Sequence, residues 1–290
     1  MEILKTYKLY IGGQFPRTES GRSYVIQSAT GQPIANACLG SKKDIRNAVQ
    51  AARKAQVGWA SKSAFNRSQI IYRIAEMLEA RKVQFMNELI LMGQSEPAAS
   101  VEVQLCIDRL VYYAGWADKY QALSSSVNPV STPHFNFSIP EPMGVIGVVA
   151  CQETALIGLI SQLLPLIVGG NTVTVVANTN KALSAISFAE VLASSDVPAG
   201  VVNILTGEFA EMLPTLAGHM DVNALCIAKI HDDNSQNAQE IAIDNLKRCQ
   251  LYNHDFLDPK SQGLHFITDF QEIKTTWHPI EQVSGGIGGY

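Results

Sequence analysis

The chain has 290 residues, 47% of them hydrophobic and 17% charged. That is the composition of a folded protein with a sizeable core, and it excludes wholesale disorder. A formal charge of −4 argues against nucleic-acid binding, which draws on a basic excess. Five cysteines (Cys38, Cys106, Cys151, Cys226 and Cys249) lack framework spacing and fit a reducing compartment, most of them reading as small buried hydrophobes.

Met1 to Tyr7 shows no long apolar run and no small-residue cleavage pattern, so no leader is expected and a cytoplasmic location is. Lys8 to Phe15 reads as a short strand, a Gly12-Gly13 turn and a return, a hairpin at a domain edge. Ser41 is placed to cap a helix, and Asp44 completes a capping-box pattern at the positive end of the helix dipole. Ile45, Ala48, Val49, Ala52, Ala55 and Trp59 then recur as one apolar stripe. A second helix is expected from Asn66 to about Leu91, with Ile70, Ile71, Ile74, Ala75 and Leu78 inward, and a third through Cys106, Leu110, Tyr113 and Ala117. After Ser131, Phe135, Phe137 and Ile139 alternate with Asn136 and Ser138, the period of an extended arm.

From Met143 strands and helices alternate, with strands over 144–149, 172–176, 201–205 and 224–227 and helices over 156–168, 182–195 and 208–218. The apolar stretch 143–170 is interrupted by Gln152-Glu153-Thr154 and Pro165. A strand and a buried helix explain it better than a membrane span. The alternation implies right-handed βαβ crossovers and an α/β fold, a Rossmann-like parallel sheet flanked by helices. Further on, 231–236 reads as a polar loop, 238–246 as a helix and 253–263 as a loop. A last strand is expected within 266–277, and Ser284 to Gly289 as a flexible tail.

No Gly-x-Gly-x-x-Gly joins a strand to a helix, and neither a phosphate-loop nor a nucleophile-elbow motif occurs. A parallel sheet still forms a ligand crevice at the carboxyl ends of its strands. Ala150 to Thr154, Ala177 to Asn180 and Thr206-Gly207 are therefore the segments to inspect. Gly207, at a helix start, reads equally as a phosphate-accepting backbone and as a turn glycine. Cys151 has no basic neighbour in sequence and reads as inert packing. His254, Asp255, Asp258 and His265 fit no standard metal spacing and read as a solvated loop, so no metal site is expected. Tyr112, Tyr113, Trp116 and Tyr120 read as helix packing rather than a stacking platform for bases. Glu153 reads as the partner of a nearby cation, with a new catalytic acid as the alternative.

Glu141 to Val149, Pro165 to Val173 and Pro198 to Gly207 resemble, in this order, the dinucleotide domain of the aldehyde dehydrogenase superfamily. Lys8 to Phe15 and Tyr112 to Lys119 resemble its N-terminal region, Asn245 to Arg248 the segment before its catalytic domain, and Glu272 to Trp277 its carboxyl end. The resemblance implies NAD or NADP as cofactor, a cysteine nucleophile, an asparagine amide for the oxyanion and a general-base glutamate. This chain departs from that pattern at several points. No cysteine follows Cys249, so the catalytic-cysteine domain is expected to be absent, as in the degenerate second domain of the family's sixteenth group. Tyr252 stands at the general-base position, where a phenol is a poor base at neutral pH. Val176-Ala177-Asn178-Thr179 replaces a Lys-Pro-Ser-Glu segment whose lysine and glutamate grip the adenosine ribose. Glu153 replaces the oxyanion asparagine, and Ile227-Ala228-Lys229-Ile230 replaces a Phe-Thr-Gly-Ser loop.

No catalytic residue is therefore expected, and Gly207, Asn178 and Glu153 remain as a degenerate cofactor site. The expected organisation is a hairpin and helices over 1–130, an oligomerisation arm over 131–142 and 264–280, a Rossmann-like core over 143–252 and a tail over 281–290. The arm would add as a strand to a full-length aldehyde dehydrogenase subunit, or self-associate, making this a non-catalytic docking subunit. The alternative is an active NAD(P)-dependent aldehyde oxidoreductase. Neither nucleic acid nor membrane is an expected partner.

Overall fold

The computed structural model describes residues 3–228 and 234–280. Its first sheet was not foreseen: β1 (Thr6–Tyr7), β2 (Ser23–Gln27) and β3 (Pro33–Cys38) lie in the order β1-β3-β2. These strands are short and half-exposed, so they carry no clean period-two pattern. In the hairpin before β2, Ile11 and Gln14 exchange both backbone bonds at 3.0 Å around a Gly12-Gly13 turn whose φ values are 59° and 76°. Glycine adopts such angles without a Cβ penalty.

Helix α1 (Lys42–Ala60) starts on the predicted capping box, with the Ser41 hydroxyl accepting from the Asp44 amide at 3.3 Å and the Asp44 carboxylate from the Ser41 amide at 2.9 Å. The helix expected over 66–91 is in fact two, α2 (Ala64–Ala80) and α3 (Lys82–Leu91). The break falls at Arg81 (φ −106°, ψ 14°), which no glycine or proline marks in the sequence. It lets α3 bury Phe85 and Leu89 in the core. Helix α4 (Glu96–Ala114) buries Cys106, Leu110 and Tyr113 as expected, and α5 (Tyr120–Ser124) follows. Strands β4 (Ser126–Asn128) and β5 (His134–Pro142) then leave the body.

The central elements are β6 (Val145–Val149), α6 (Ile157–Val168), β7 (Thr172–Val176), α7 (Ala182–Ala193), β8 (Val202–Leu205), α8 (Phe209–Gly218), β9 (Ala224–Ala228), α9 (Asn234–Ile243) and β10 (Arg248–Tyr252). Five strands form one parallel sheet in the order β10-β9-β6-β7-β8. Alternate residues feed two cores: Ile146, Val148, Val173 and Val175 face α6 and α7, whereas Val145, Val149, Val176 and Leu225 face α1, α8 and α9. Gly147 serves the second core, because a Cβ there would lie 2.9 Å from Leu216 Cγ. Tyr10 of the hairpin exchanges backbone bonds of 2.9 and 2.8 Å with Ile204, which covers part of the β8 edge.

Two boundaries moved. Helix α9 starts at Asn234 rather than Ala238, inside the expected polar loop, and ends at Ile243. Helix α10 (His265–Thr268) occupies the first part of the expected last strand, and β11 (Gln271–Pro279) follows it. The expected tail over 281–290 and the first two residues lie outside the described residues, as do Lys229 to Asp233.

Strands β11, β5 and β4 make an antiparallel sheet in that order. Along β5 from Phe135 to Ile139 the polar side chains are the buried ones. Asn136 and Ser138 are buried at 2% and 9% exposure, whereas Phe135 is 46% exposed. The polar face is a hydrogen-bonded ladder in which Asn128 Nδ2 donates to Asn136 Oδ1 at 2.6 Å and to Ser138 Oγ at 2.9 Å, and Ser138 and Thr275 hydroxyls meet at 2.8 Å. Val127, Phe135, Phe137 and Ile139 line an apolar hollow of about 330 Å³ on the opposite face.

The arm is tied to the core at the carboxyl end of α6. A helix leaves its last carbonyls without intrahelical partners. Here Trp59 Nε1 reaches Ile167 O at 2.9 Å, Arg67 Nε reaches Val168 O at 3.1 Å, and Gln271 Nε2 at the start of β11 reaches Gly169 O at 3.1 Å.

Candidate functional site

The crevice at the carboxyl ends of the parallel strands brings together the three segments the sequence singled out. After β6 the chain turns through Cys151 to Ala155 into α6. The turn is held by Gln162, whose Oε1 accepts from the Cys151 amide at 2.9 Å and whose Nε2 donates to Val149 O at 3.0 Å. Cys151 is buried, and the helix packs on it so closely that a Cβ at Gly158 would lie 2.5 Å from the Cys151 Cβ. Two further cysteines are buried completely, and burial pushes the Cys106 thiol up and the Cys226 thiol up to about 12. Thiols so placed are protonated at neutral pH and are poor nucleophiles.

After β7 the positions of interest are taken up by the chain itself. Val176 is a buried core residue. Asn178 Nδ2 donates to Gln152 O at 2.9 Å, and its Oδ1 accepts from the Asn180 and Lys181 amides at 3.0 and 3.2 Å at the start of α7. Thr179 Oγ1 donates to Gly207 O at 2.7 Å, and the Tyr24 hydroxyl donates to Thr179 O at 2.9 Å. The loops after β7 and β8 are thereby joined across the crevice.

Gly207 is dictated by close approach: a Cβ on it would lie 2.6 Å from Met212 Sδ and 3.0 Å from the Gly40 amide nitrogen. Of the two sequence readings, the turn-and-packing role has a stated geometric cause. Glu153 is exposed on the loop after β6, and the Lys181 ammonium lies beside it, donating to its backbone carbonyl at 2.6 Å.

Tyr252 ends β10 among Phe266, Phe270 and His254. Its hydroxyl donates to Asp269 Oδ2 at 2.8 Å, and burial pushes the phenol well above its ordinary value. A group that donates to a carboxylate and resists ionisation cannot accept a proton at neutral pH. His254 meets Phe266 edge-on and His265 packs tilted against it, Asp255 and Asp258 accept from backbone amides of their own loop, and among the described residues no three metal-ligating side chains converge. Tyr113 and Tyr120 are buried in the helical core, with Tyr112 and Trp116 packed against it. Thr179 lies in a segment the sequence singled out, whereas Tyr24, which donates to it across 155 positions, was not foreseen.

A parallel five-stranded sheet with a projecting antiparallel arm defines a class, that of the coenzyme-binding half of dehydrogenases. The aldehyde dehydrogenase family model matches residues 15–251, and the chain belongs to that family. It is 31% identical over 250 residues to cytosolic aldehyde dehydrogenase 1 of Elephantulus edwardii, covering 84% of this chain and 49% of that protein. It is 29% identical to omega-crystallin of Enteroctopus dofleini, covering 86% of this chain and 50% of that one. Among solved structures, the NAD-dependent aldehyde dehydrogenase from Sinorhizobium meliloti superposes with a TM-score of 0.81 at 25% identity, over 86% of this chain and 50% of that one. An aldehyde dehydrogenase from Bacillus cereus solved with NAD+ gives 0.81 at 23% identity, over 85% and 50%. The chain thus spans about half the length of the relatives it matches. No described helix is long and apolar enough to cross a membrane.

One of these relatives is solved with NAD+, and the residues in this chain's crevice do not match the ribose-gripping pair that the family resemblance implies. The two ribose-gripping positions hold a buried valine and a threonine bonded to Gly207, and the Asn178 amide between them is saturated by backbone partners. No charged side chain stands at either position to grip ribose hydroxyls.

Proposed function

We propose that this chain is a non-catalytic member of the aldehyde dehydrogenase family that docks through its β5–β11 arm onto a full-length aldehyde dehydrogenase and stabilises or regulates it. The observation that carries the reading is the Thr179–Gly207 hydrogen bond at 2.7 Å, which commits to the chain's own backbone a position that the family resemblance assigns to a ribose ligand. The arm supports the second half of the proposal. Val127, Phe135, Phe137 and Ile139 line an apolar hollow on one face, Ile273 and Trp277 stand exposed on the other, and among the described residues the nine-residue strand β11 pairs on one side only. A sheet so built gains from a further strand or layer. The division into a coenzyme-type core over 143–252 and an arm over 131–142 and 264–280 belongs to the same proposal.

Calorimetry tests the first half. NAD and NADP are expected to give no binding heat at concentrations that saturate active relatives, whereas micromolar binding with aldehyde-dependent reduction favours the oxidoreductase reading. Copurification tests the second. The tagged chain, produced beside a full-length aldehyde dehydrogenase of the same cell, is expected to carry it through purification, and the Phe137→Asp variant is expected to release it. A wild-type chain that leaves the dehydrogenase behind overturns the docking.

A further inference from the structure

A cavity of about 610 Å³ opens where the arm leaves the body, between the end of α1, the start of α2, Tyr120 of α5, the base of β5 and Gly169. Small-molecule sites span roughly 300–1,000 Å³. Three charged side chains line this one, Lys62, Arg67 and Glu141. Val57, Ile139, Pro140 and Pro142 give it an apolar wall.

Arg67 is buried at 6% exposure, and among the described residues its hydrogen-bond partners are all neutral. Its Nε donates to Val168 O at 3.1 Å, and its Nη1 to Ala60 O and Lys62 O at 3.3 and 2.6 Å. The guanidinium also donates to the Tyr120 hydroxyl. The carbonyls come from the ends of α1 and α6 and the turn after α1, so their dipoles orient the group. They do not cancel its charge, and a buried charge without a counter-ion is costly. The Lys62 ammonium adds a second positive charge and forms no ion pair with a described residue. Glu141 is the opposing carboxylate in the lining, and Lys274 of β11 holds it at 3.2 Å. Two cations against one carboxylate leave the lining with an excess of one positive charge.

We propose that this cavity binds a small organic monocarboxylate, its head between Lys62 and Arg67 and a short apolar chain along Val57 and the β5 prolines. A single negative charge matches the excess in the lining, whereas a dianion would also meet Glu141. The apolar wall adds affinity in proportion to the chain it covers. Arg67 alone would serve as a strut between two helix ends. Lys62 has no such structural task, and its free ammonium separates a ligand site from a strut. None of the lining residues belongs to the crevice at the carboxyl ends of the parallel strands, so the proposal goes beyond the docking reading and does not rest on it.

Hexanoate is the probe, titrated into the purified full chain by calorimetry and followed by amide resonances. It is expected to bind one to one and to shift the Gly169 and Gln121 amides. Acetate, which lacks the chain, is expected to bind at least tenfold more weakly, and hexan-1-ol and inorganic phosphate are expected to give no heat. Lys62→Glu is expected to weaken hexanoate at least tenfold while the ligand-free variant melts no lower than wild type, because the Arg67 bonds use only the backbone of residue 62. No binding to the wild type, binding undiminished in Lys62→Glu, hexan-1-ol or phosphate binding as tightly as hexanoate, or resonance shifts confined to other parts of the chain overturns the proposal. Neither the nucleotide calorimetry nor the copurification depends on Lys62 or on this probe, so the two readings fail separately.

Discussion

Single side chains set the local chemistry of the crevice and of the core behind it. Gly207→Ala places a methyl against Met212 and Gly40, and the strain is expected to lower stability by about 1–3 kcal/mol in urea denaturation. A loss of that size without any nucleotide present marks the glycine as a packing residue. A second buried group sets a pH dependence. Glu88 accepts from the Ser187 hydroxyl at 2.6 Å and from Gln84 Nε2 at 3.0 Å, while its other oxygen has no hydrogen-bond partner among the described residues. Burial raises its pKa above the ordinary carboxylate value, with the Ser187 and Gln84 bonds opposing and Lys5 and Glu190 as the nearby charges. A raised folded pKa means the neutral form favours the fold. Its contribution is fully present below the unfolded pKa and is lost as pH rises through the folded one. Glu88→Gln keeps the neutral form, so the gain of the variant over wild type is expected to grow from acid to neutral pH in denaturation midpoints.

At the level of elements, the capping box on α1 is the feature most directly testable. Ser41→Ala removes the acceptor for the Asp44 amide and is expected to lower stability by about 1 kcal/mol, read as a drop in melting temperature. This start was legible in the sequence, as were β6, β7, β8 and β9, because each strand is a short, mainly apolar or β-branched run bounded by turns. Strand β10 was not, since Arg-Cys-Gln-Leu-Tyr is only partly buried at the sheet edge and carries neither period. The alternation of Phe135, Phe137 and Ile139 gave the strand correctly, but its usual meaning, apolar side inward, is reversed in the arm. Burial depends on what covers a face, and a single strand does not say which face is covered. The same holds in the crevice. The segments were found by their place at strand ends, but the bonds that link Asn178, Thr179 and Tyr24 to distant backbone are products of the assembled fold.

For the whole molecule, the family assignment rests on the fold as a whole, whereas the proposal of a non-catalytic role rests on a few side chains in the crevice. These are compatible, because a fold persists through its core while function resides in a few side chains at its rim. The bond at the far end of α6 bears on how an occupied arm would be felt elsewhere. Gln271 is both the first residue of the outermost strand and the cap on Gly169, and Asn171 two residues on donates to Phe270 O at 3.1 Å while accepting from the Gly144 amide at 2.9 Å. The arm is therefore spliced into the body rather than hung from it. Gln271→Ala is expected to speed amide exchange in the last turn of α6. By reciprocity, whatever grips the outer strand quiets that turn, and mechanical load on the projection is borne by the most deeply buried helix of the protein.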